Sequence, residues 1–144
     1  MFSKACEYAI RAMIYVFRQT RDGSKTGIKD IARYTGTPEP FVAKILQVLS
    51  RGGIVSSSKG PNGGFFIPAK TKKIHLIEIV KAIDGNNLFV SCGLGIKNCS
   101  ARKPCPIHHQ YATIRDAMTQ MLMTCSIEDL ANRLDNGETF LVKG

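Results

Sequence analysis

Three cysteines, Cys92, Cys99 and Cys105, stand in one stretch, Ser91-Cys-Gly-Leu-Gly-Ile-Lys-Asn-Cys-Ser-Ala-Arg-Lys-Pro-Cys-Pro-Ile-His108. Thiolates are soft ligands, and Gly93 and Gly95 let the backbone fold tightly around one soft metal centre. Three thiolates are one ligand short of the usual four. The fourth has three candidates. His108 lies three residues after Cys105, at the start of a helix. Glu7 is a distant carboxylate near the start of the first helix, available from another part of the fold or from a partner subunit. Cys6 is next to it, and thiolate is the better iron ligand. His109 points about 100° away from His108 on a helix. Cys125 reads as a small apolar residue, and His75 has no cysteine or acidic sequence neighbour.

Four chemistries compete for this loop. An iron–sulfur cluster takes thiolates and tolerates one other ligand. Structural zinc favours Cys-x-x-Cys knuckles, which are absent, and the Cys-x6-Cys-x5-Cys spacing suits a larger centre. A thiol redox sensor is the third reading, because Lys97, Arg102 and Lys103 favour the thiolate form. Space-filling cysteines are the fourth, and a Gly/Lys/Pro-rich loop argues against them.

The elements that must position this loop are mainly helical. Ser3 caps a helix running to about Gln19, with Ala5, Ala9, Ala12, Met13, Val16 and Phe17 at helical spacing. Ile28 to Thr35 reads as a short helix stopped by Gly36. Thr37 as N-cap and Pro38 as first helical residue start a second, with Phe41, Ile45, Val48 and Leu49 as its buried stripe and Gly52-Gly53 as its end. Residues 54–56 and 65–67 read as strands around the turn-rich tip Lys59-Gly-Pro-Asn-Gly-Gly64. Two short helices with a tight junction, then a hairpin, make a winged helix-turn-helix. Leu76 to Ile83 is a further helix stopped by Gly85. His108 to Thr124 is a longer one with Tyr111, Ile114, Met118, Met121 and Leu122 on one face and Met123 off it. Ser126-Ile-Glu-Asp129 opens a last short helix through Leu134, and a frayed tail is expected from Asn136. The fold class is therefore mainly α with a small β-hairpin wing and a long C-terminal dimerisation helix. The expected organisation is a winged-helix domain over 1–84, a cysteine loop over 85–107, a dimerisation and terminal helix over 108–136, and a tail over 137–144.

Charge is divided unevenly. Residues 1–81 hold 14 Lys+Arg and 5 Asp+Glu, giving +9, and residues 82–144 hold 6 of each. Counterion release favours binding of such a basic surface to a polyanion, here double-stranded DNA. In a helix-turn-helix the start of the second helix meets base edges, which nominates Thr37, Glu39 and Lys44. Glu39 suits cytosine N4, and Lys44 suits guanine or phosphate. Lys25, Lys29 and Arg51 are candidate phosphate contacts. Lys59, Gly60 and Asn62 form the wing tip that enters a minor groove. Two prolines and an alanine in the recognition helix shift the weight to shape and backbone contacts. One winged helix binds weakly, so a two-fold dimer reading a near-palindromic operator is expected. No apolar run is long enough to span a bilayer and no signal-peptide order opens the chain, so a cytoplasmic protein without a membrane partner is expected. Nucleotide loops and catalytic dyads are absent from the sequence, which argues against an enzyme.

These residues resemble a known family. Cys6-Glu-Tyr-Ala-Ile-Arg-Ala-Met13, the wing segment Val55 to Phe65, the three cysteines and Ser126-Ile-Glu-Asp-Leu130 are similar to the IscR/NsrR-like, Rrf-type winged-helix regulators with a cluster loop. The resemblance covers nearly the whole chain. It implies a homodimeric repressor or activator whose DNA affinity is tuned by an iron–sulfur cluster, 2Fe–2S in preference to 4Fe–4S. The signals it implies are iron–sulfur status, nitric oxide, oxygen or redox poise. A cluster-free thiol-sensing regulator is the alternative. In IscR-like members a histidine shortly after the third cysteine is the fourth ligand, matching His108; in NsrR-like members an acidic residue near the start of helix 1 is, matching Glu7. The first cysteine gap is x6 where x5 is commoner. Lys59 stands where arginine is frequent, and Ala43 stands where IscR-like recognition helices often carry an acid.

Overall fold

A computed structural model describes residues 1–141. Helix α1 (Lys4–Thr20) starts where Ser3 Oγ accepts the Cys6 N–H at 3.0 Å. It forms the centre of the molecule, packing against α2 (Ile28–Thr35), α3 (Glu39–Arg51), α4 (Leu76–Asp84) and α7 (Ile127–Asp135). Its buried side chains, Ala9, Ala12, Met13 and Val16, join Ile31, Leu46, Leu49, Ile79 and Val80 in one core. Gly36 ends α2 in the left-handed region at φ 67°, which an L side chain adopts only with strain.

The start of α3 differs from the sequence expectation. Pro38, not Thr37, is the N-cap, and its carbonyl accepts from Phe41 and Val42. Thr37 is buried in the turn: its N–H donates to the Ala32 carbonyl and its hydroxyl to that of Thr35. The buried stripe is Val42, Ile45, Leu46 and Leu49, which satisfies i, i+3, i+4, i+7. Phe41 was expected inside this stripe, yet it is 62% exposed, and Val48 is only partly buried.

The wing pairs β1 (Ser56–Ser58) with β2 (Gly64–Phe66) in register Ser56–Phe66, Ser57–Phe65, Ser58–Gly64. Both strands lie closer to the tip than expected, because Val55 and Ile67 are buried in the core and pairing begins where the chain leaves it. Thr26 bridges to Phe65 on the far side of β2, tying the wing to the entry of α2. A Cβ on Gly63 would stand 2.3 Å from the Ser58 carbonyl, so the tip requires glycine there.

Helix α5 (Asn87–Val90) is an addition to the expected order. Its Leu88 and Phe89 are partly buried against the core. Helix α6 (His108–Thr124) has the expected bounds but packs only lightly. Leu122 is its one fully buried side chain, while Ile114, Met121 and Met123 are exposed. Ser126 caps α7, accepting the Asp129 N–H at 3.1 Å. A two-residue bridge, Leu76 N to Cys125 O and Ile127 N to Ile74 O, joins the starts of α4 and α7. Arg18 of α1 and Arg21, the residue that follows the helix, both pair with Asp135 of α7. The expected frayed tail is instead turned back at first: Gly137, Glu138 and Thr139 donate backbone bonds to Leu134 and Arg133. Residues 142–144 lie outside the described residues.

Candidate metal centre and nucleic-acid interface

The cysteine loop is strung between α5 and the start of α6, and it gathers the three predicted thiols. The sulfurs of Cys92, Cys99 and Cys105 all lie within 4.8 Å of one another. All three thiols are free and partly buried. Cys92 Sγ is 3.6 Å from Cys105 Sγ. Two thiolates on one tetrahedral metal, with bonds of about 2.3 Å, stand about 3.8 Å apart. Cys99 Sγ is 3.2 Å from His108 Nδ1. The donor set is thus three thiols and one imidazole, a set that fits a thiophilic metal or cluster.

The backbone favours the thiolate at one corner. The Leu94 N–H points at Cys92 Sγ at 3.4 Å. The amides of Ile96 and Leu94 together lower Cys92 to about 7. At Cys99 the Cys105 amide, 3.4 Å away, pulls downward, but burial and the neighbouring thiols outweigh it, and the net shift is upward. One thiol of the group is therefore ready to ionise near neutrality while its neighbour holds its proton.

The other predicted ligands lie apart from this group. Glu7, on the first turn of α1, pairs with Lys4 at 3.1 Å. Cys6 is fully buried in the core. Burial, then the charge of Asp84, pushes it up to about 12, so Cys6 is a core thiol and not an available ligand. Cys125 is half-buried beside the α4–α7 bridge, and burial also raises it.

Helix α3 and the wing form an open groove lined by Pro40, Ala43, Lys44, Gln47, Arg51 and Phe65, among others. Ser50 Oγ meets Ser57 Oγ at 3.5 Å across its end. Lys29, Glu39, Lys44, Arg51, Lys59, Gly60 and Asn62 are all exposed. Thr37 is not, so it shapes the turn and offers no side chain. Gln47, which lines this groove, was not singled out from the sequence. The signal for Gln47 was its place at i+3 from Lys44 and i+7 from Pro40, the stripe opposite the buried one.

Residues 2–133 match the Rrf2 family, described as iron-dependent transcriptional regulators. The chain belongs to this family. An Aquifex aeolicus protein named as an HTH-type transcriptional regulator is 31% identical over 92% of each chain. The HTH-type transcriptional regulator IscR of Photorhabdus laumondii is 27% identical, over 87% of this chain and 75% of that one. Among solved structures, CymR (YrzC), the global cysteine regulator of B. subtilis, superposes with a TM-score of 0.75 at 22% identity, covering 92% of this chain and 96% of that one. The winged-helix fold expected from the sequence is the fold of these Rrf2 regulators. As a member, this protein is a DNA-binding transcription regulator with a metal-binding type of cysteine cluster. None of its described helices is long and apolar enough to cross a membrane.

Proposed function

We propose that this Rrf2 protein is a homodimeric, cytoplasmic regulator whose affinity for a near-palindromic operator is set by an iron–sulfur cluster. The observation that carries the reading is the pairing of donors: Cys92 with Cys105 at 3.6 Å, and Cys99 with His108 at 3.2 Å. Each couple has roughly the spacing of two ligands on one tetrahedral metal. Two couples suit two irons, so a 2Fe–2S cluster is preferred to 4Fe–4S, with His108 as the fourth ligand. When bound, the cluster supplies a centre sensitive to electrons, oxygen and nitric oxide.

The chain's own residues do the rest. The loop leaves α5 and enters α6 at His108, so a ligand set closed by His108 fixes the start of α6 relative to the core. If α6 is the dimer seam, the orientation of its start sets the separation of the two recognition helices. The two loop states need differ in DNA affinity by only about 1–3 kcal/mol to regulate. The test is an anaerobic absorption spectrum with iron and sulfide assays, followed by binding to an operator selected from random duplexes. Matched iron and sulfide and a several-fold difference between loaded and metal-free protein are expected. Equal affinities would end the switch while leaving DNA binding intact.

A second reading has its own observation. Cys92 Sγ and Cys105 Sγ at 3.6 Å, with Cys92 lowered to about 7, suit a thiol sensor. A peroxide would take two electrons and two protons from the pair, leaving a disulfide and being reduced to water or alcohol. Mass spectrometry of metal-free protein after mild peroxide reads this; absence of a reversible Cys92–Cys105 bridge removes it.

A further inference from the structure

Cys92 is the first ligand of the loop, and the backbone on either side of it is held by one face of α6. Arg115 donates an N–H to the Ser91 carbonyl at 2.9 Å. One turn earlier on the same face, Tyr111 lies flat against Gly93. A Cβ on Gly93 would stand 2.8, 2.9 and 3.0 Å from the Cδ2, Cε2 and Cγ atoms of the Tyr111 ring. Gly93 has no left-handed φ, so the ring contact, and not backbone conformation, is what requires glycine there. The ring cannot yield easily, because Cγ, at the base of the side chain, is among the crowded atoms. Arg115 Nε is buried without a hydrogen-bond partner, while Nη1 of the same side chain reaches the Ser91 carbonyl. The amides that point at the Cys92 sulfur, those of Leu94 and Ile96, follow directly in the chain.

We propose that Tyr111 and Arg115 are positioning residues for Cys92, a platform on α6 that holds the 91–93 backbone so that the thiol stays in the ligand group. The inference rests on the cluster reading for its consequence but not for its geometry. It also gives α6 two grips on the loop: His108 beside Cys99 and Arg115 beside Cys92. Arrival or loss of the ligand group's metal is thereby felt along two turns of the helix, not at its first residue alone.

The experiment uses full-length protein carrying Arg115→Ala, Arg115→Lys or Gly93→Ala. Hydrogen exchange of the metal-free protein reads the platform without any cluster. Arg115→Ala is expected to speed exchange in residues 88–96, leave the wing at 56–66 unchanged, and be partly rescued by Arg115→Lys. After reconstitution with iron and sulfide, release of iron to a chelator is expected about tenfold faster in Arg115→Ala and Gly93→Ala, in the range typical for groups supporting metal ligands. Unchanged exchange in 88–96 overturns the platform. Faster exchange with unchanged iron release overturns its link to the cluster. If the parent protein itself takes up no iron and sulfide, the cluster reading fails, and exchange alone decides the platform. Far-UV circular dichroism of each variant separates these effects from unfolding.

Discussion

His108 and Glu7 divide the fourth-ligand question between a neighbour and a stranger. His108 Nδ1 touches Cys99 Sγ at 3.2 Å, while Glu7 pairs with Lys4 on a different helix. Glu7 is not part of the thiol group in the protomer. His108→Ala is therefore expected to lower iron retention about tenfold or more, and Glu7→Ala to leave it unchanged; iron per protomer after gel filtration reads both. The reverse result would assign the site to a carboxylate donated across a dimer. Cys6 carries a separate prediction. Its thiol is raised from 9.0 to about 12, so the folded state favours the protonated form. That contribution is fully present below pH 9 and is lost as pH rises towards 12. By pH 10 the parent protein is expected to have lost on the order of 1 kcal/mol from this group alone. Cys6→Ala removes the ionisation, at a cost of about 1 kcal/mol in neutral solution. Urea melts at pH 8 and pH 10 check it: the variant should lose less than the parent between the two.

At the level of the elements, α3 and the wing act as one surface, joined by Ser50 and Ser57. Among the described residues Lys44 on the helix and Lys59 on the tip are exposed and pair with no carboxylate, so their charge is available to DNA. Lys44→Ala and Lys59→Ala are each expected to weaken binding across all sequences and reduce the salt slope by about 1. Gln47→Ala should instead change preference among selected sequences, because an amide reads base edges. Fluorescence anisotropy at several salt concentrations separates the two kinds of effect; an unchanged slope for Lys59→Ala would take the wing off the phosphates. Much of this architecture was legible in the sequence because local chemistry decides it. Ser3, Gly36 and Ser126 end or begin helices through bonds to their own neighbours. The thiols were legible because no other residues share their spacing. Phe41 misled because a stripe through 41, 45, 48 and 49 looks nearly as helical as the true one through 42, 45, 46 and 49, and only the packing against α1 chooses. Helix α5 was hidden because four residues carry too little periodicity. The contacts of Tyr111 and Arg115 with the loop join residues about twenty apart, which no local pattern reports.

Over the whole molecule, net charge divides along the chain. Residues 1–81 carry +9, with Lys44 and Arg51 lining the α3–wing groove, and residues 82–144 are neutral. Neutrality suits the proposed homodimer, in which a face meets its own copy without repulsion. In the dimer proposed above, helix α6 supplies that face: Ile114 is 67% and Met121 47% exposed, seven residues apart on one side of the helix, with Met118 between them half-buried against the core. In the protomer Ile114 supports nothing, so Ile114→Glu should fold normally, with an unchanged circular dichroism spectrum. A charge at the centre of a two-fold seam meets its own image, and both carboxylates lose water at once. The variant is expected to run as a monomer by light scattering and to bind the selected operator about 100-fold more weakly or worse, since the gain from joining two half-site readers is lost. A dimeric Ile114→Glu protein with full operator affinity would place the seam on another surface, and with it the route from the cysteine loop to the DNA.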